Sequence, residues 1–257
     1  MKIQKKIVAI GGGENGRQLE NGDFAPYNTE EIDKEIIKLS NKKKPNFLFI
    51  NHAMSSLEIQ ESYFQTMKKI YGDIYKCNCD DLKTIELDDI NCVKQKIEWA
   101  DIIYEGGGDT VYMINLWKKK GFDKILYNAW QSGKVISGIS AGAVCWFNSC
   151  NSDSSNNEEN DQFSSVDCLN WLNLHITPHC EELGRHDSTK LQLKENRLIG
   201  VMLSNCSALE IIDEQYKFIR SDNKAFALKS YYNKDKYIEK KCDFDIYKNI
   251  DDLLEKN

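Results

Sequence analysis

The residues best suited to chemistry form the string Gly138-Ile139-Ser140-Ala141-Gly142. Such a Gly-x-Ser-x-Gly string can hold a nucleophile when it sits on a sharp strand-to-helix turn, where the serine hydroxyl is exposed and small neighbours let the backbone fold tightly. The Ala141 N–H then points at the oxyanion that develops on an attacked carbonyl. A glycine-rich turn with an incidental serine is the plainer reading, and context separates the two. Residues 134–138 read as a strand and a helical pattern opens behind Ser140, so the context favours a nucleophile.

A second turn, Glu105-Gly106-Gly107-Gly108-Asp109-Thr110, also lies between a predicted strand and a predicted helix. It therefore belongs at the same carboxyl edge of a sheet, where a bare N–H of Gly107 or Gly108 supplies a second oxyanion donor. It lacks the Gly-Lys-Ser/Thr ending of a phosphate loop, and a tight turn is its plainer reading. The cluster Gly11-Gly12-Gly13-Glu14-Asn15-Gly16 has a dinucleotide-binding register. Asn51-His52 stands where the acidic ribose ligand belongs, so the cluster reads as a loop walling the pocket and no nucleotide cofactor is expected.

A serine needs a base within hydrogen-bond reach, and the histidines are His52, His175, His179 and His186. His179 ranks first, because it follows a strand at 172–177 and the turn-forming Pro178, which returns it to the edge that carries Ser140. His175 lies inside that strand and reads as a core histidine. His186 sits in a polar stretch and reads as solvated, while His52 ends the second strand and ranks lower. The imidazole needs a third group to fix its tautomer. Asp153 ranks first, with Glu158, Glu159, Asp161, Glu181 and Glu182 as alternatives, although most acids in such polar segments are simply solvated.

The elements that must position these groups alternate along the chain. Apolar runs at 6–10 and 46–50 read as buried parallel strands, and helical periods cover 29–42, 57–71, 92–100 and 110–130. Asn28-x-x-Glu31 resembles a capping box ahead of the first helix. Residues 148–161, rich in Asn, Ser, Asp and Glu, read as an exposed loop. A further strand follows at 171–177 and a short apolar run at 198–202, then a hairpin at 208–220 and a final helix at 245–255. The expected fold class is α/β: a single doubly wound, mostly parallel sheet flanked by helices, with a C-terminal β-hairpin, in one domain spanning 1–257.

Four blocks carry a resemblance to a known family: residues 7–13, Tyr104-Glu-Gly-Gly-Gly-Asp-Thr110, the stretch 137–146 around Ser140, and Ile176-Thr-Pro-His-Cys-Glu-Glu182. The chain resembles the peptidase E and cyanophycinase-like serine peptidases. The resemblance implies a fold like that of class I glutamine amidotransferases, with Ser140 as nucleophile, His179 as base, and Ala141 with a glycine of 106–108 as oxyanion donors. It also implies that Arg185 holds a substrate carboxylate, favouring short peptides with an acidic residue, and that the chain forms a homodimer. Asp109 stands where the family more usually has asparagine.

Composition narrows the partners. With 34 Lys and Arg interspersed among 40 Asp and Glu, the net charge of -6 leaves no basic footprint for nucleic acid or anionic membrane. A short peptide or peptide-like small molecule is the expected substrate, with no metal or organic cofactor. Nine scattered cysteines suit reduced thiols, and the first apolar run is too short for a signal peptide, so a cytoplasmic location is expected. Cys77-x-Cys79 has the wrong spacing for a zinc knuckle. Two competing readings stay open: an esterase of the α/β-hydrolase type, disfavoured by the missing His-Gly-Gly-Gly motif, and a non-catalytic ligand-binding protein on the same fold.

Overall fold

The continuous apolar runs of the first half form strands buried on both faces, as β-branched and aromatic runs do when helices cover a parallel sheet. A computed structural model describes residues 3–17, 19, 21–154 and 162–256. Strands β1 (Lys6–Ile10), β2 (Asn46–Ile50), β3 (Asn78–Leu82), β4 (Ile102–Glu105) and β5 (Val135–Ile139) lie parallel in the order β1-β5-β4-β2-β3. Alternate residues face opposite cores. Val8, Ile10, Phe49, Tyr104 and Ile139 meet α1 (Glu30–Leu39) and α2 (Leu57–Lys68). Ile7, Ala9, Ile50, Ile103 and Ile136 meet α3 (Ile90–Trp99), α4 (Thr110–Lys120) and α5 (Phe122–Gln131).

The doubly wound arrangement expected from the alternation is present, and the chain then departs from a single sheet. After the one-turn helix α6 (Ala141–Val144) come β6 (Phe147–Ser152), β7 (Ser164–Asp167), β8 (Leu172–Thr177), α7 (Arg185–Asn196) and β9 (Ile199–Leu203). The expected hairpin forms as β10 (Ser207–Ile212) and β11 (Gln215–Arg220), joined to the first sheet by the antiparallel pairing of β10 with β1. β12 (Ala227–Asn233), β13 (Lys236–Lys241), β14 (Lys248–Asn249) and the short helix α8 (Ile250–Leu254) complete the chain. β6, β8 and β9 run parallel inside a second, six-stranded sheet of order β13-β12-β9-β8-β6-β7. A shared cluster including Leu174, Ile176, Val201, Leu203, Leu209 and Ile211 joins the two sheets.

Residues 148–152 are therefore a buried strand, not the start of an exposed loop. Their polar side chains find partners inside: Ser149 Oγ meets His175 Nδ1 at 2.9 Å, and Asn151 Nδ2 donates to the Arg185 carbonyl and Thr189 Oγ1. Glu158, Glu159 and Asp161 lie outside the described residues. The capping box at 28–31 also resolves differently. Thr29 is the N-cap of α1 without a side-chain cap bond, and Asn28 Oδ1 instead accepts from the Glu14 N–H at 2.7 Å.

That contact ties the segment after β1 to the start of α1, and a buried acid fixes it further. Asp33 on α1 accepts hydrogen bonds from Tyr27 (2.9 Å), Thr29 (2.8 Å) and Tyr71 (2.7 Å). Burial still dominates over these three donors and pushes its carboxyl up to about 6. With the folded value above the unfolded one, the folded protein retains a proton between about pH 4 and 6 that the unfolded chain has lost. Stability from this group therefore falls as pH rises through that window and is level above it. Asp33→Asn is expected to flatten this portion of the stability-versus-pH curve by roughly 2–3 kcal/mol, read from urea midpoints at pH 4.5 and 7. Equal slopes in the variant and the parent protein would contradict the assignment.

Candidate active site

The carboxyl ends of β1, β5 and β4 are adjacent, with Ile10 paired to Ile139 and Gly138 paired to Glu105. All three glycine-rich segments consequently meet at one edge, as ligand sites do in open α/β sheets. Ser140 leaves β5 with φ 56° and ψ −116°, a conformation an L-residue adopts only when its surroundings compel it. The compulsion is close backbone packing. A Cβ on Gly142 would lie 2.2 Å from the Glu105 carbonyl oxygen, and one on Gly138 would lie 2.4 Å from that of Gly142. The Ser140 N–H donates to the Ile10 carbonyl at 3.0 Å, and Trp146, just beyond α6, stacks on Trp117 and packs on Trp171. The turn is thus held from below, beside and behind.

His179 reaches the same edge from the second sheet. Its Nε2 lies 3.0 Å from Ser140 Oγ. Its Nδ1 lies 2.7 Å from Asn205 Oδ1. Because an amide oxygen only accepts, Nδ1 carries the proton and Nε2 is left free to accept from the serine hydroxyl. This is the tautomer a general base requires. The pairing follows from strand register: β8 and β9 are parallel neighbours with Thr177 opposite Met202, so the turns leaving both strands arrive side by side. The Gly11-Gly12 segment clasps both turns, the Gly11 carbonyl accepting from the His179 N–H and the Gly12 carbonyl from the Cys206 N–H. A Cβ on Gly12 would fall 1.9 Å from Asn205 Oδ1 and 2.4 Å from the His179 ring, so only glycine permits this approach.

Gly107 faces the serine. A Cβ there would sit 3.4 Å from Ser140 Cβ, whereas one on Gly108 would run into the backbone of Ala53. Ala141, first in α6, has no helical acceptor for its N–H. With α6 only one turn long, the direction of that N–H matters more than any helix dipole. Below the turn lies Glu105, fully buried, with Oε1 accepting from the Ala53 N–H at 3.2 Å. Burial pushes its carboxyl well above the ordinary range, which favours the neutral form and spares a developing oxyanion from a negative neighbour. A cavity of about 660 Å³ opens from Ser140, His179 and Gly107 along α2 and the 13–17 segment.

A family model described as Peptidase family S51 matches residues 19–219. The chain belongs to this family. It is 30% identical over 219 residues to the uncharacterized peptidase YgaJ of Bacillus subtilis (strain 168), covering 82% of this chain and 85% of the relative. Among solved structures, it is similar to a peptidase from an acI-B1 Actinobacterium with TM-score 0.68 and 20% identity, over 95% of this chain and 96% of the other. A protein of Listeria monocytogenes EGD-e, described provisionally as a peptidase E, superposes with TM-score 0.61 and 18% identity over 84% and 98% of the two chains. The fold is of the peptidase E type, and the chain is a serine-type peptidase.

In this S51 peptidase the other sequence-derived candidates fall elsewhere. Asp153 is not beside His179. Its carboxylate turns to Arg185, 3.5 Å from Nη2, because β6 ends on the far side of β8 from the β9 turn. Arg185 does not line the cavity either. It is 3% exposed, its guanidinium lies 4.4 Å over the Phe163 ring, and Nη1 donates to the Pro178 carbonyl. The Glu182 carboxylate sits 2.9 Å from its Nε, off the N–H axis. Two acids therefore already neutralise the arginine expected to hold a substrate carboxylate. Glu181 supports the site indirectly, accepting from the Asn205 backbone N–H at 2.9 Å. Asp109 caps α4 by accepting from the Tyr112 N–H.

The remaining histidines serve structure. His52 is fully buried, accepts from Trp117 Nε1 at 2.9 Å and donates through Nε2 to the Leu82 carbonyl at 2.7 Å. Burial lowers its pKa to about 4, and does the same to His175. His186 pairs with Glu239 at the surface, 2.7 Å away. All nine cysteines are free thiols. Among the described residues, no helix is long and apolar enough to cross a membrane.

Proposed function

We propose that this serine peptidase cleaves short peptides through an acyl-enzyme on Ser140. His179 Nε2 takes the hydroxyl proton as Oγ attacks the scissile carbonyl, and the Ala141 and Gly107 N–H groups receive the oxyanion. Collapse of the tetrahedral intermediate breaks the C–N bond, and the proton on His179 passes to the leaving amine. Water, deprotonated by the same imidazole, then hydrolyses the ester and restores Ser140. Asn205 holds the imidazole in the required tautomer throughout.

The observation that carries this reading is the contact chain Ser140 Oγ, His179 Nε2, His179 Nδ1, Asn205 Oδ1 at 3.0 and 2.7 Å, set in the wall of a peptide-sized cavity. A fluorophosphonate probe tests it, since such reagents trap a serine only when a base activates it. Mass spectrometry of the digested adduct is expected to place the label on Ser140, with His179→Ala reacting at least about a hundred-fold more slowly. Folded protein that resists the probe, or carries the label on another residue, would refute the mechanism.

A further inference from the structure

The cavity beside Ser140 has walls that say what it will accept. Phe24, Met54, Ile59, Tyr63 and Ile139 supply its apolar lining, beside polar groups of the 14–17 segment and of α2. Ile59 and Phe24 are 49% and 61% exposed, so the cavity entrance presents large apolar groups to water. Isolated exposed apolar residues need no explanation, whereas apolar residues gathered around a cavity that holds a nucleophile mark the surface a ligand covers. The arrangement is built, not incidental. Ser56 caps α2 through the Ile59 N–H, and the buried Gln60 amide donates to the Met54 carbonyl at 2.7 Å, fixing the backbone that carries both side chains.

The cations around the cavity are unsuited to an acidic side chain. Selecting a carboxylate calls for a cation that is desolvated and free to form a charge-assisted bond. Arg17 is bound by Glu14, with Nε and Nη2 at 3.0 and 3.2 Å from its two oxygens. Lys69 is exposed, with its ammonium 5.4 Å from the centre of the Phe24 ring. Arg185 is held by Asp153 and Glu182 outside the cavity. A carboxylate entering here would meet only Arg17, already paired with Glu14, and the exposed, hydrated ammonium of Lys69, so it would lose water for a weak, solvent-screened attraction.

We infer that the cavity selects peptides whose residues beside the scissile bond are apolar, and that it disfavours aspartyl and glutamyl peptides. The inference rests on Ser140 acting as the nucleophile. At about 660 Å³ the cavity also has room for more than a dipeptide.

The test is a panel of tripeptides and tetrapeptides in which Leu, Met, Phe, Asp, Glu and Lys occupy in turn each position flanking the scissile bond. Leu, Met or Phe peptides are expected to exceed their Asp counterparts in kcat/KM by about ten-fold or more. Ile59→Ala, at a half-exposed position that puts folding at little risk, is expected to shrink that ratio several-fold while fluorophosphonate labelling of Ser140 persists. Normal labelling together with Asp peptides cleaved as fast as Leu peptides overturns the selectivity and leaves the mechanism standing. Neither labelling nor cleavage of any member removes the mechanism and the inference together.

Discussion

Ser140→Ala is expected to lower kcat/KM for peptide hydrolysis by about 10⁴-fold or more, the scale on which a serine nucleophile contributes beyond the binding and oxyanion groups left behind. The substitution removes one oxygen whose hydrogen-bond partner is His179 and leaves the backbone path of the turn to Gly138, Gly142 and the Ile10 carbonyl. Thermal melting is therefore expected to stay within a few degrees of the parent protein. Peptide affinity, measured by calorimetry on the variant, should change little, because the cavity walls are untouched. Turnover within ten-fold of the parent would transfer the nucleophile's role to another residue. A collapse of melting temperature would instead show that the hydroxyl holds the turn.

What the chain reveals by itself follows from how local each cause is. The Ser140 turn is legible because close packing of Gly138, Gly142 and Glu105 tolerates so few residue types that the string itself carries the geometry. His179 is legible because a strand, a proline and a polar segment adjoin in sequence, and the same logic sets His175 in the core. The second sheet is harder to read. β6 pairs with β8 across more than twenty residues, and its inward polar groups, Ser149 and Asn151, erase the apolar pattern by which strands are recognised. Residues 148–152 consequently look like loop while lying inside the protein.

Arg185 and Asp153 show a related effect. Each has a residue type suited to the role expected of it, yet they satisfy one another, because α7 begins with Arg185 facing inward against Phe163 and the end of β6. A charge on a polar stretch can be assigned a partner only when the three-dimensional neighbours are known. The cavity wall has the opposite character: Phe24, Met54 and Ile59 are unremarkable in sequence and gain meaning through their position around Ser140.

Asn205 is the residue that sequence reasoning passed over, since the search for a third group was confined to carboxylates. A usable signal existed. The short apolar run at 198–202 is a strand in the structure, Ile199–Leu203, and as a parallel neighbour of β8 it delivers its polar turn, Ser204-Asn205, to the edge that carries His179. Asn205→Ala is expected to lower kcat/KM by about 10²–10⁴-fold, because the imidazole loses the acceptor that fixes its tautomer. Asn205→Asp keeps the acceptor and adds charge. A carboxylate 2.7 Å from Nδ1 favours the imidazolium, so the acid limb of the kcat/KM profile should move upward by about one pH unit or more, with activity retained on the alkaline side. A purely structural asparagine would lower the amount of folded protein in both variants and leave the pH profile in place. An unshifted acid limb in a folded Asn205→Asp enzyme would therefore remove Asn205 from the catalytic arrangement.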